Sequence, residues 1–207
     1  MDDMLKKLRH RTPSLLGMKQ LTKFAVLLPL VEQNGELHIL FEVRSSQLRR
    51  QPGEICFPGG KVDASDKNEQ EAAIRETCEE LGVDSTAIYN VFPLDYIVSP
   101  FGMVIYPFAA RLADPHLIKP NRAEVAEVFI VPLSFFQETK PEIYHVHFQP
   151  QPDPDFPFDK IPNGKNYRWR PRQMDEYFYY YGDKVIWGLT ARIVHHFIQL
   201  IFQNNQV

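Results

Sequence analysis

Gly59-Gly60, and then Arg75-Glu76-Thr77-Cys78-Glu79-Glu80-Leu81-Gly82-Val83, form the stretch on which the reading of this chain turns. Residues 68–80 contain neither glycine nor proline, and Gly82 suits the left-handed position that follows a helix. Asp66 or Ser65 offers an N-cap oxygen. The spacing therefore predicts a helix from Asn68 to Leu81. At about 100° per residue, Ile74, Cys78 and Leu81 share one face as a core stripe, while Glu76, Glu79 and Glu80 cluster on the opposite face.

That acidic cluster is costly for a helix that only has to be stable. Like charges three or four residues apart cost roughly 0.2–0.5 kcal/mol per pair. An anion in the last turn faces the negative end of the macrodipole, at about 0.3–1 kcal/mol. A hard dication, Mg²⁺ or Mn²⁺, offsets both penalties. Arg75 has Glu71 at i−4 as a local partner. Three glutamates alone also fit a solvated acidic face; the glycine pair upstream tilts the reading, because without a Cβ the backbone can approach a ligand closely.

Upstream, Phe24–Val31 is a continuous apolar run of strand length, and Leu37–Arg44 is a second one after the turn signal Asn34-Gly35, which together read as a hairpin. The loop Ser45–Glu54 carries Arg49 and Arg50 beside Arg44, and a short strand Ile55–Phe57 leads to Pro58-Gly59-Gly60. Downstream, strands are expected at Ile88–Val98, Val104–Ala110 and Glu127–Val131, and a short helix begins at Leu133–Phe136. Six of the 17 prolines fall between Pro150 and Pro171, and residues 141–171 read as a long ordered loop or insertion beside a binding site, with Phe148, Phe156, Phe158, Tyr167 and Trp169 expected first to pack into the core. Ile186–Phe202 reads as an amphipathic helix, with Leu189, Ile193, Phe197 and Ile201 four residues apart. The run Tyr177–Tyr181 is read first as interior packing, with a homodimer contact or a base-stacking surface left open. Near the start, Lys6, Lys7, Arg9, His10 and Arg11 alternate with Met4, Leu5 and Leu8 as a short amphipathic surface helix, and Asp2 and Asp3 argue against a transit peptide.

At 207 residues, 44% hydrophobic and 24% charged, the chain is expected to be one globular domain. A net charge of −3 excludes the strong basic field that nucleic acid or an anionic membrane would require, so neither is expected as a partner. Two cysteines make no disulfide framework and point to a reducing interior, read as cytoplasmic; Cys56 and Cys78 are expected to be buried. His145, His147, His195 and His196 offer no third ligand at zinc spacing.

Gly60 through Val83 resembles the Nudix box, the loop-helix-loop signature of hydrolases that cleave a nucleoside diphosphate linked to another group. The upstream run Arg44-Ser45-Ser46…Arg49-Arg50-Gln51-Pro52-Gly53-Glu54-Ile55-Cys56-Phe57-Pro58-Gly59-Gly60 resembles the additional motif of the coenzyme A pyrophosphatase branch. Asn121-Arg122-Ala123-Glu124-Val125 and Phe129–Leu133 resemble the family's later strand, so the likeness runs over residues 24–135, with a weaker echo at Trp187–Thr190. From Gly60 to Arg75 the box is one residue longer than the general pattern, as in the coenzyme A branch, and its first glutamate has only Asp66 or Glu69 to stand in.

The resemblance implies an α/β fold, a Nudix-like mixed sheet sandwiched between helices (α/β/α), as a single domain over 1–207 with the insertion at 141–171. It implies divalent-metal-dependent hydrolysis of coenzyme A or its thioesters, a small-molecule nucleotide substrate. Glu76 and Glu80 would be metal ligands, with Glu79 a third ligand or the catalytic base. Glu124 would be a base or an extra ligand. Arg44, Arg49 and Arg50, with Gly59 and Gly60, would bind substrate, guanidinium forks matching phosphate oxygens. The alternatives are an ADP-ribose or NADH pyrophosphatase and a nucleotide-sensing module without turnover.

Overall fold

A computed structural model describes residues 5–6 and 9–202. The strands are β1 (Thr22–Gln33), β2 (Glu36–Arg44), β3 (Ile55–Cys56), β4 (Gly59–Lys61), β5 (Ile88–Pro93), β6 (Ile97–Ser99), β7 (Met103–Leu112), β8 (Val125–Pro132), β9 (Glu142–Phe148), β10 (Arg172–Tyr181) and β11 (Lys184–Trp187). The helices are α1 (Glu69–Leu81), α2 (Leu133–Glu138) and α3 (Gly188–Phe202).

The apolar run predicted for β1 is central to the larger sheet and buried on both faces, which is why it does not alternate with polar residues. Ala25, Leu27 and Val31 point to one core with Leu40, Ala72, Ala73 and Leu81; Leu28 points to another with Ile39, Phe41, Ile193, Val194 and Phe197. So α1 covers one face and α2 with α3 the other, the expected sandwich. The sheet is mixed: β1 runs parallel to β7, while its N-terminal half pairs antiparallel with β4 and its C-terminal half with β2. Beyond that fork β2 continues against β3 and β8. The fork opens a gap between β1 and β2, and the segment 55–61 crosses it.

Phe41 is fully buried and stacks on Phe57 and Phe129 with centroids at 5.1 and 5.4 Å. Phe41→Ala is expected to cost about 3–5 kcal/mol, the range for a truncated core aromatic, to be read from chemical denaturation.

The structure corrects several expectations. Residues 142–148 are a strand rather than part of a loop, because the run between Pro141 and Pro150 is free of proline and leaves every N–H available for pairing. It joins β10 and β11 in a second, three-stranded sheet. Val185 and Ile186 pair with Tyr180 and Tyr179, so the last helix starts at Gly188, whose φ of 61° breaks the strand. The aromatic run is split by strand alternation: Tyr179 is buried, while Tyr180 is exposed on the other face. Phe156, Phe158, Tyr167 and Trp169 pack on one another instead of into the core, with centroids 4.9–5.7 Å apart. The N-terminal helix expected over the basic segment falls partly outside the described residues: Leu5 and Lys6 are helical, and among those described between 9 and 20 the only helical turn is Met18–Gln20.

Candidate active site

The carboxylates are placed by α1. Its N-cap is Asn68, not Asp66 or Ser65: the Asn68 carboxamide oxygen accepts the Glu71 N–H at 2.9 Å. Asp66 is otherwise engaged, receiving Arg75 through Nε and Nη2 at 3.0 and 3.1 Å. Arg75 therefore does not pair with Glu71, which binds Lys67; its Nη1 reaches Glu76 at 2.9 Å and Glu79 at 3.5 Å. Glu69, the other candidate for the box's first glutamate, bonds Lys23 at 2.7 Å. The bidentate hold on Asp66 fixes the guanidinium beside the acidic face.

The predicted faces of α1 are rotated. Ala72, Ala73, Thr77, Glu80 and Leu81 are the buried residues, and Ile74 and Cys78 are only half-buried, as is Cys56. Glu80 thus leaves the solvent face that Glu79 keeps. It points into the fork of the sheet, 4% exposed, and its Oε2 accepts the Gly59 N–H at 2.7 Å. Glu76 lies between, against Gly60, where a Cβ would collide with its carboxylate. Gly59, at φ +154°, would drive a Cβ into the backbone of Ala25 and Val26. Both glycines are required for close approach by the chain's own atoms, and so hold the carboxylates against β4.

A fourth carboxylate comes from the loop before β8. Lys119 N–H donates to the Leu81 carbonyl and Asn121 N–H to the Glu80 carbonyl, both at 2.9 Å, which closes the C-terminus of α1. The same loop carries Glu124, whose Oε1 accepts from Asn121 Nδ2 at 3.0 Å and whose carbonyl accepts the Ser45 N–H at 2.7 Å. Glu124 is an electrostatic neighbour of both Glu76 and Glu80. Glu127, at the start of the strand expected there, pairs with Lys184 at 2.7 Å.

A fifth carboxylate was missed by sequence reading. Glu42 on β2 is 1% exposed and is an electrostatic neighbour of Glu80 and Glu124. The available signal was a single acid inside Leu40-Phe41-Glu42-Val43, two residues from Leu40 and hence on the α1 side of the sheet. Arg44, two residues on, faces Glu42 electrostatically. Arg49 and Arg50 stand exposed on the loop beyond it. A cavity of about 630 Å³ lies on the other side of β2, lined by Val43, Ile55, Phe178, Lys184 and Trp187 among others.

Burial is the main cause that pushes the carboxyls of Glu80, Glu42 and Glu76 above the ordinary range; Glu42 adds repulsion at Glu80, and the Gly59 N–H opposes it. The folded chain therefore holds protons that the unfolded chain releases above about pH 4.5. With more protons bound in the native state, stability falls as pH rises through that window. The melting temperature of metal-free protein is expected to drop between about pH 5 and pH 8, and saturating Mg²⁺ or Mn²⁺ to flatten the drop, since a bound dication favours the charged carboxylates. A pH-independent melting temperature without metal would contradict this electrostatic picture.

Donor chemistry fits a hard cation: the site is all carboxylate oxygen, and one buried oxygen, Glu42 Oε2, has no hydrogen-bond partner among the described residues. No three His, Cys, Asp or Glu side chains among those residues converge at coordinating distance as they stand. Glu76, Glu80 and Glu124 are held instead by Arg75, Gly59 and Asn121.

A forked mixed sheet between helices, with glutamates from one helix end gathered on a Gly-Gly strand, defines a class, and comparison gives it a family. The NUDIX domain model matches residues 21–149, so the chain belongs to the Nudix family. The peroxisomal coenzyme A diphosphatase NUDT7 of Mus musculus is 40% identical over 59% of this chain and 51% of its own length. Peroxisomal coenzyme A diphosphatase ndx-8 of Caenorhabditis elegans is 40% identical over 66% of this chain and 60% of its own length. The mitochondrial coenzyme A diphosphatase NUDT8 of Homo sapiens is 32% identical over 86% of this chain and 68% of its own length. The chain thus spans between half and two-thirds of the first two relatives. Among solved structures, a MutT/nudix family protein from Enterococcus faecalis superposes with a TM-score of 0.53 over 97% of this chain and 68% of that one, at 15% identity, a likeness of fold.

Proposed function

We propose that the chain is a divalent-metal-dependent pyrophosphatase that hydrolyses coenzyme A or its thioesters to 3′,5′-ADP and 4′-phosphopantetheine or its acyl form. The observation that carries the reading is the junction of the arginine loop with the carboxylate cluster. The loop leaves β2 at Arg44, is tied at Ser45 to the Glu124 carbonyl, and returns through β3 to the glycines that hold Glu76 and Glu80. A substrate with both a pyrophosphate and a separate phosphate needs cations on either side of the scissile bridge. Likeness to relatives that are themselves named coenzyme A diphosphatases supports the choice among nucleotide substrates.

Bound Mg²⁺ or Mn²⁺ would neutralise charge developing on the phosphoryl oxygens. Glu76 and Glu80 are assigned to hold it. Glu79 remains a third ligand or the base acting on water, and Glu124, half-buried and aligned by Asn121, a base or further ligand. Arg44 is assigned to meet the pyrophosphate, and the exposed Arg49 and Arg50 to meet the outer phosphate. Gly59 and Gly60 contribute by holding the carboxylates close. Two free cysteines suit a reducing compartment. No helix of the described residues is long and apolar enough to cross a membrane.

Purified protein incubated with coenzyme A and Mg²⁺ or Mn²⁺ should release 3′,5′-ADP, detected by chromatography. Intact coenzyme A at high enzyme, with turnover of ADP-ribose or NADH in the same panel, would move the assignment to another substrate branch.

A further inference from the structure

Glu42 is a carboxylate that the fold has buried without a counterpart. It is 1% exposed, its Oε1 meets only the weakly donating Cys56 thiol at 3.4 Å, and its Oε2 has no partner among the described residues. An isolated buried carboxylate costs several kcal/mol unless paired or coordinated. A partner is close by: Arg44, on the same face of β2, also has a buried Nε without an acceptor. Yet the two do not bond to each other, although they are electrostatic neighbours. One unpartnered acceptor and one unpartnered donor, electrostatic neighbours of each other and close to Glu80 and Glu124, leave the carboxylate oxygen open to a cation and the guanidinium open to an anion.

We propose that Glu42 is an additional ligand of the metal centre, a carboxylate supplied to a hard dication by the sheet beside those supplied by α1. This rests on the metal-dependent part of the function proposed above. The acids of α1 come from a helix end, whereas Glu42 comes from a strand, where it is fixed between the β3 and β8 pairings of β2. It leaves Arg44 beside it to receive a phosphate oxygen.

Mn²⁺ binding to the full chain without nucleotide, followed by electron paramagnetic resonance and calorimetry, tests the proposal on Glu42→Gln and Glu42→Asp. Glu42→Gln should bind Mn²⁺ at least about tenfold more weakly, or one ion fewer, while its metal-free form melts no lower than the parent. Glu42→Asp keeps the charge but is shorter by one methylene, and should fall between. Parent-like Mn²⁺ stoichiometry and affinity in whichever variant folds overturns the assignment. Glu80→Gln separates the two levels of inference. If it loses Mn²⁺ and the Glu42 variants do not, the centre stands without Glu42; if the parent binds no Mn²⁺, the metal-dependent reading falls too.

Discussion

Glu80→Gln should leave a folded protein whose coenzyme A hydrolysis in saturating Mg²⁺ falls by at least about 10²–10³-fold, the scale seen when one preorganised electrostatic contact to developing charge is removed. The substitution is nearly isosteric, and the remaining amide oxygen can still accept the Gly59 N–H that Oε2 accepts in the parent. What is lost is the charge. Because burial and Glu42 make that carboxyl costly to ionise in the metal-free fold, replacing it with a neutral amide removes this cost, so near neutral pH the metal-free variant should melt at the parent temperature or higher. The two readouts move in opposite directions, which a merely structural role for Glu80 does not allow. A rate unchanged from the parent would remove Glu80 from the metal centre.

The adjacent glycines should respond differently to the same added methyl. At Gly59 the new Cβ meets backbone atoms of Ala25 and Val26 in the central strand, at a φ of +154°. Neither strand can yield without breaking the β1–β4 pairing, so Gly59→Ala should lose at least about 3 kcal/mol, beyond ordinary overpacking, and denaturation will read it. At Gly60 the three atoms nearest the Cβ all belong to the end of the Glu76 side chain, which can swing away. Gly60→Ala should therefore stay within about 1 kcal/mol of the parent in stability yet lose activity and Mn²⁺ affinity, because the displaced group is an assigned metal ligand. Equal stability losses in both would refute the distinction.

Much of this site is written locally. The α1 boundaries follow from a glycine- and proline-free run closed by Gly82, and the glycine pair and Glu76, Glu79 and Glu80 stand within one short segment. Glu124 was legible only through family likeness, since nothing in its neighbourhood announces that its loop folds back onto the end of α1. The rotation of Glu80 into the fork could not be read from a helical wheel: the wheel gives angles between residues, while the direction of the core is set by the split of the sheet around β1. Glu42 carried a signal, an acid in an apolar strand, but its meaning depends on a partner 38 residues away. The second sheet was missed where prolines nearby masked a proline-free strand, and where Val185-Ile186-Trp187 continues smoothly into a helical pattern.

The closure of α1 by Lys119-Pro120-Asn121 has a consequence for how the site can evolve. The outer two residues give their amide hydrogens to the helix end, and the middle one, which has none to give, is a proline. The tether is therefore made of main chain, indifferent to the side chains at 119 and 120. Lineages can exchange those surface residues freely, to alter solubility or contacts with other molecules, while Glu124 and Glu80 stay in register. Proline at 119 or 121, by contrast, would cut the joint between the end of α1 and the loop that carries Glu124, although neither position is itself among the clustered carboxylates.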